Sequence, residues 1–178
     1  MTNLLEKVEP QKMIPNDEIR LEFSNILKMA KHEVLVELLT ASKKLLQDTI
    51  DGNEAAVAQA IDNIMQMNYA PTYYNDEQAL RYVIKFAYLV CADSYMKIEE
   101  LPSGKGIADV VFIPRKPTDP TLVIELKWNK SDTAVIEQIK DKKYPTILKN
   151  RNGKIILVGI NYDEKTKVHS CKIETAMM

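Results

Sequence analysis

The spacing of apolar residues divides the chain into a helical first part and a second part dominated by strands. Ile19, Phe23, Ile26 and Leu27 recur at helical spacing behind a cap at Asn16 or Asp17. Val34, Leu38, Leu45 and Leu46 predict a second helix over 33–50. After the turn and cap Asp51-Gly52-Asn53, a third helix is predicted from Ala56, Val57, Ala60, Ile61 and Ile64. Residues 1–16 are polar, end in Ile14-Pro15-Asn16 and have no sustained period, which reads as a tail or linker. Pro71, in Asn68-Tyr69-Ala70-Pro71-Thr72, interrupts the helical pattern, because proline cannot donate to a helix and disfavours helical backbone before it. The boundary is placed there, between a tail with a helical subdomain (1–68) and a second domain (69–178).

The second domain opens with a further helix. Asn75 and Gln78 stand at the capping-box offset, and Leu80, Val83, Ile84, Ala87 and Cys91 form its apolar stripe. Glu77 lies one turn before Leu80 and is expected to point inward along that stripe, which is costly for a carboxylate without a partner. Strands are predicted over 95–101, 106–114 and 121–128, separated by a turn at Ser103-Gly104 and a loop from Pro114 to Pro120. Ser131 or Asp132 caps a helix that Tyr144-Pro145 interrupts. The continuous apolar run 155–160 predicts a strand buried on both faces, and 167–174 alternates as a last strand. The order is αβββαββ.

Composition changes this picture little. A chain of 178 residues buries roughly 70% of its unfolded surface, so it needs neither disulfides nor a structural metal to fold. At 46% hydrophobic, 28% charged and net charge −1, nothing global points to a polyanion. Locally, Lys127, Lys130, Lys140, Lys142, Lys143, Lys149, Arg151 and Lys154 face only Asp132, Glu137 and Asp141. Such a run is either a solvated helix face or a surface suited to a polyanionic substrate. Cys91 and Cys171 lack metal-site spacing and read as buried small residues of a reducing compartment, and His32 and His169 as structural or surface groups. There is no bilayer-length apolar run and no signal-peptide layout, so no membrane association and a cytoplasmic location are expected. Ser103-Gly104-Lys105-Gly106 lacks the spacing of a Walker A loop, which excludes ATP hydrolysis by that route.

The chemistry concentrates in Gly106-Ile107-Ala108-Asp109-Val110-Val111-Phe112 and Val123-Ile124-Glu125-Leu126-Lys127. Two carboxylates and a lysine on neighbouring strands are the groups that divalent-metal phosphodiester hydrolysis needs. The two-residue repeat puts Glu125 and Lys127 on one face, expected to be wet, and Ile124, Leu126 and Trp128 on the other, where Trp128 packs. Asp109 shares its face with Ile107, Val111 and Ile113, so its charge is expected to be compensated by metal or lysine. The alternative is a surface Glu125–Lys127 pair with Asp109 merely ending a strand.

Asp109 followed by Glu125-Leu126-Lys127 resembles the PD-(D/E)XK nuclease signature, in which an Asp closes one strand and a Glu-x-Lys lies on the next. Asn75-Asp76-Glu77, the segments 104–111 and 124–127, Glu137-Gln138-Ile139 with Tyr144, and Val158-Gly159-Ile160-Asn161-Tyr162 are similar to the nuclease-like domain usually found behind an AAA-ATPase-like module. The resemblance covers 69–174, and its one departure is Ala108 where the signature has proline, a position often relaxed. It implies a restriction-endonuclease-like α/β (α+β) fold, an αβββαββ core whose mixed sheet is flanked by helices, preceded here by the small helical unit. It also implies a Mg²⁺- or Mn²⁺-dependent endonuclease acting on DNA. Asp109 is then the central metal ligand, Glu125 the second and the Leu126 carbonyl a third, while Lys127 orients or activates the attacking water. Glu77 is the outer carboxylate, with Asp76 as its substitute if the register shifts, or else a first-turn Glu favoured by the helix dipole. Gln138 matches the family's glutamine and faces the sheet, Lys142 reaches a phosphate, and Tyr144 either hydrogen-bonds near the site or packs.

The upstream ATPase-like module is missing from this sequence, so the chain is a stand-alone member or the C-terminal portion of something longer. A homodimer is expected if both strands of a duplex are cut, since one site cuts one strand, and the helical unit supports one only if Val34, Leu38 or Ile61 exposes an apolar face. The rival function is a nuclease-fold binding or regulatory module for a protein partner such as an AAA-type ATPase. Near-neutral charge and a short chain, with little area for gripping a duplex, favour it.

Overall fold

In a computed structural model, residues 32–68, 76–103, 106–131 and 153–177 are described, together with positions 25, 28, 29, 136, 137 and 148. Helices α1 (His32–Asp51) and α2 (Glu54–Asn68) occupy the two stretches predicted from the second and third apolar repeats. Gly52, at φ +77°, ends α1 in a left-handed conformation that glycine adopts at no steric cost. Gly52 N and Asn53 N donate to the carbonyls of Thr49 and Asp48, groups the helix end would otherwise leave unpaired. The helix predicted around Ile19, Phe23, Ile26 and Leu27 lies outside the described residues, apart from helical Asn25, Lys28 and Met29.

Helix α3 (Glu77–Ala87) is capped by Asp76, whose extended backbone lets its side chain accept from Ala79 N at 2.8 Å. The cap therefore falls one residue later than the box predicted from Asn75 and Gln78. Cys91 does not continue α3 but opens the short α4 (Cys91–Ser94), because tight turns at 88–90 break the helix. Helix α1 secures this break: Ser42 Oγ accepts from Val90 N at 2.9 Å, and Thr49 Oγ1 pairs with the Tyr88 hydroxyl at 2.7 Å.

Five strands follow: β1 (Tyr95–Ser103), β2 (Gly106–Pro114), β3 (Thr121–Trp128), β4 (Lys154–Asp163) and β5 (Val168–Met177). They form one sheet in sequence order, antiparallel except for the parallel pair β3–β4. A parallel neighbour requires a crossover, and Ile136, Glu137 and Leu148 within that connection are helical. The result is the mixed sheet flanked by helices that the sequence predicts.

The central strands are buried on both faces. On one, Val110, Phe112, Leu122, Ile124, Leu126, Ile156, Val158 and Ile160 pack with Leu45, Val57 and Ile61 of the helical pair and Leu80, Val83 and Ile84 of α3. On the other, Val111, Ile113, Val123, Ile155 and Leu157 pack with Ile136 and Leu148. This corrects the expectation of a wet face at Glu125, which is only 1% exposed, on the face where Ile136 and Leu148 pack with Val123.

Polar ties join α2 to β5. His169 Nδ1 meets Asp62 Oδ1 at 2.6 Å with both groups buried, and Glu54 accepts from Ile173 N at 2.9 Å and pairs with Lys172. Trp128, Tyr162 and His169 stack in register across β3, β4 and β5 with ring centres 4.6 and 4.9 Å apart, a packing role for all three. Cys91 and Cys171 are free and buried. No helix among the described residues is long and apolar enough to cross a membrane. Of the positions considered for a dimer face, Ile61 is core, Leu38 is half-buried and Val34 is 41% exposed.

Because α2 shares its core with the sheet, Ile61→Ala is expected to cost about 2–5 kcal/mol. Urea unfolding followed by the fluorescence of Trp128, the only tryptophan and a β3 residue, checks this. A sheet transition that does not move would mean the helical pair and the sheet unfold separately.

Candidate active site

The site forms where β2 and β3 part. Their pairing runs from Phe112↔Leu122 to Val110↔Ile124 and stops one residue short of Asp109 and Glu125. Asp109 Oδ2, rather than a strand carbonyl, receives the Leu126 N–H at 2.9 Å. The pairing of β1 with β2 skips the same level, at Glu100, whose φ of +53° is strained for a residue with a side chain. Asp109 thus sits at an opening in an otherwise continuous sheet, only 6% exposed.

Helix α3 brings two charged groups to that opening. Glu77 and Arg81 are four residues apart, hence on one side of the helix, flanking the apolar stripe that docks α3 on the sheet. Arg81 Nη2 donates to Asp109 Oδ1 at 2.7 Å and Nη1 to Glu100 Oε1 at 2.8 Å. The carboxylate expected to be compensated by a lysine or a metal is therefore compensated by an arginine from the helix. Burial works against the Arg81 charge, but Asp109 and Glu100 outweigh it and keep the guanidinium protonated to above its already high ordinary range.

Lys127 closes the other side. Its Nζ donates to Leu126 O at 2.7 Å and to Glu125 Oε1 at 3.1 Å, and lies 3.9 Å from Glu77 Oε1. Gly159, the parallel partner of Glu125 on β4, contributes no side chain beside that carboxylate. Glu77 is half-buried rather than directed along the core stripe. Burial pushes its carboxyl above the usual range; Lys127 draws it back, Asp109 repels it, Arg81 attracts it and Glu125 repels it. Asp76, its proposed substitute, is engaged as the α3 cap.

The fold therefore brings Asp109, Glu125, the Leu126 carbonyl, Lys127 and Glu77 together, with Arg81 and Glu100 added. Gln138, Lys142 and Tyr144 lie outside the described residues. Arg81 was missed by sequence reasoning, although an arginine one turn after Glu77 and directly following Leu80 of the apolar stripe is a usable signal of an inward-facing cation. Among the described residues no three carboxylate, histidine or cysteine side chains converge closely enough to hold a metal by themselves. The candidate metal ligands are all oxygen, and the four carboxylates Glu77, Glu100, Asp109 and Glu125 face two cations, Arg81 and Lys127, which leaves negative charge in excess. That balance and hardness fit a cation such as Mg²⁺, which takes one or two carboxylates and keeps much of its water.

A profile described as the PD-(D/E)XK nuclease superfamily matches residues 81–172, just over half of the chain, including Arg81, Asp109, Glu125 and Lys127 but not Glu77. Neither the curated proteins nor the solved structures contain a match.

A carboxyl whose pKa is raised by folding keeps its proton where the unfolded chain has already lost it, so the stability it lends at low pH disappears as pH rises through the raised value. Between about pH 4 and pH 7, the melting temperature of the native protein is accordingly expected to fall relative to that of Glu77→Gln. Thermal melts of the two across that range check it, since their difference cancels the titrating groups that do not interact with Glu77.

Proposed function

Because the chain belongs to the PD-(D/E)XK nuclease superfamily, we propose that it hydrolyses phosphodiester bonds with the help of a divalent ion, with DNA as its substrate. One observation carries this reading: Asp109, Glu125, the Leu126 carbonyl and the Lys127 ammonium gather where β2 and β3 separate. A ladder that simply continued would give the Leu126 N–H to a strand carbonyl and leave Asp109 without that donor. Asp109, Glu125 and the Leu126 carbonyl would hold Mg²⁺ or Mn²⁺, with Glu77 contributing from the rim. The ion supplies Lewis-acid stabilisation of charge developing on the phosphoryl oxygens.

The chain's own groups do the rest. Lys127, held by Glu125 and the Leu126 carbonyl, is placed to orient a water and to offset charge on the phosphate. The Leu126 N–H holds Asp109 against β3, so little ordering of that carboxylate is left to be done when substrate arrives. Gln138, Lys142 and Tyr144 enter the proposal from sequence alone, Gln138 as a further polar group of the site and the other two as groups toward the substrate. A cytoplasmic setting accords with two free, buried cysteines.

A second reading, a nuclease-fold module that binds a protein partner such as an AAA-type ATPase, draws on the helical pair. A groove of about 570 Å³ between α1 and α2 is lined by Val34, Leu38, Ala41, Leu45, Ala60 and Ile64, and Val36 and Leu39 are exposed on α1. The same face would serve a homodimer under the nuclease reading.

Cleavage of supercoiled plasmid and of labelled single-stranded DNA with Mg²⁺ or Mn²⁺ separates the two. We expect cutting that EDTA abolishes and that Glu125→Gln and Lys127→Ala each reduce by more than about a hundredfold. No cutting of any substrate, RNA included, or cutting that survives both changes, would shift the function to partner binding.

A further inference from the structure

We propose that Arg81 is a positioning residue that competes with the divalent ion for Asp109, and so sets the metal concentration at which the site fills. The inference rests on the metal-dependent reading above. Asp109 has no spare compensation: one oxygen accepts from Arg81 Nη2 at 2.7 Å and the other from Leu126 N at 2.9 Å, and the residue is buried. In that setting the carboxylate needs a positive neighbour before any ion arrives, and Arg81 is that neighbour.

A cation bound at Asp109 would lie beside the guanidinium, and like charges at the edge of a dry core repel strongly. Arg81 is also built to be displaced. It grips each carboxylate through a single nitrogen rather than a two-pronged fork, and its buried Nε has no hydrogen-bond partner among the described residues. A guanidinium serving only as a strut would be expected to satisfy that donor. Its second hold, Glu100, is an exposed carboxylate on strained backbone, which leaves the far side of the guanidinium loosely tethered. Glu77 and Glu125 supply further negative charge, and Lys127, already committed to Leu126 O and Glu125, is the other cation facing the site among the described residues.

Mn²⁺ titration by isothermal calorimetry, without nucleic acid, tests the inference on the full chain and its Arg81→Gln, Glu100→Gln and Asp109→Asn variants. Removing the competitor should tighten Mn²⁺ binding about tenfold in Arg81→Gln. Removing the carboxylate that partly neutralises Arg81 should weaken it about twofold to threefold in Glu100→Gln, a modest effect because that group is exposed and screened. Asp109→Asn should weaken it most. Opposite signs for Arg81→Gln and Glu100→Gln are the signature of competition, whereas a strut would lower affinity in both. Unchanged or weaker binding in Arg81→Gln, with the wild type binding normally, overturns the inference and leaves the metal reading standing. Absence of saturable Mn²⁺ binding in the wild type and Arg81→Gln alike overturns both. If Arg81→Gln fails to fold, Arg81→Lys keeps the test decisive: its shorter single-point cation cannot hold Asp109 and Glu100 together, so tighter Mn²⁺ binding than the wild type supports competition, and unchanged or weaker binding overturns it.

Discussion

A carboxylate buried at the edge of an apolar sheet must find partners, and Asp109 finds two: the Leu126 amide on the neighbouring strand and the Arg81 guanidinium on α3. Each bond has a structural counterpart. Taking the Leu126 N–H holds β2 and β3 together at the level where their ladder has stopped, so the strands can diverge without leaving a buried donor unpaired. Reaching Arg81 ties the sheet to α3 at the place where Glu77 also projects. The site is the consequence of solving this one solvation problem.

The same logic sets the limits of the site. Glu125 is more deeply buried than Asp109, yet its partner Lys127 is a flexible ammonium shared with a main-chain carbonyl and, at longer range, with Glu77. At both carboxylates part of the compensation can be exchanged, Arg81 at Asp109 and Lys127 at Glu125. Such exchange is what a site needs if it is to accept a cation and an anionic substrate in turn, since every group locked in an ideal pair would have to be unlocked first. The surrounding core is apolar on both faces and supplies the stiffness that keeps these charges in place.

The helical pair belongs to this economy. Leu45, Val57 and Ile61 complete the packing of the face opposite the crossover, while Asp62 with His169 and Glu54 with Lys172 tie α2 to the last strand. The aromatic row through Trp128, Tyr162 and His169 lies beside these ties and closes the far end of β3. Strand β3 is therefore anchored at Leu126 by Asp109 and, two residues on, at Trp128 by the aromatic row.

Period and punctuation made most of the fold legible: α1, α2, α3 and all five strands lie where apolar spacing, Gly52, and the loop from Pro114 to Pro120 put them. Those signals are local, so a single chain carries them in full. The pairing of Asp109 with Glu125-Leu126-Lys127 was also legible, because the two-residue repeat of a strand orients side chains before any tertiary contact exists. What the sequence could not decide was which charges meet. Compensation of a buried carboxylate depends on what lies within a few ångströms, and Arg81 reaches Asp109 from a helix 28 positions earlier in the chain. It likewise could not show that Glu125 is buried, since that depends on what packs over its face, nor that α1 would secure the break at Tyr88. Spacing along a chain specifies which residues share a face; only the packing of one face on another decides what each charge has for company.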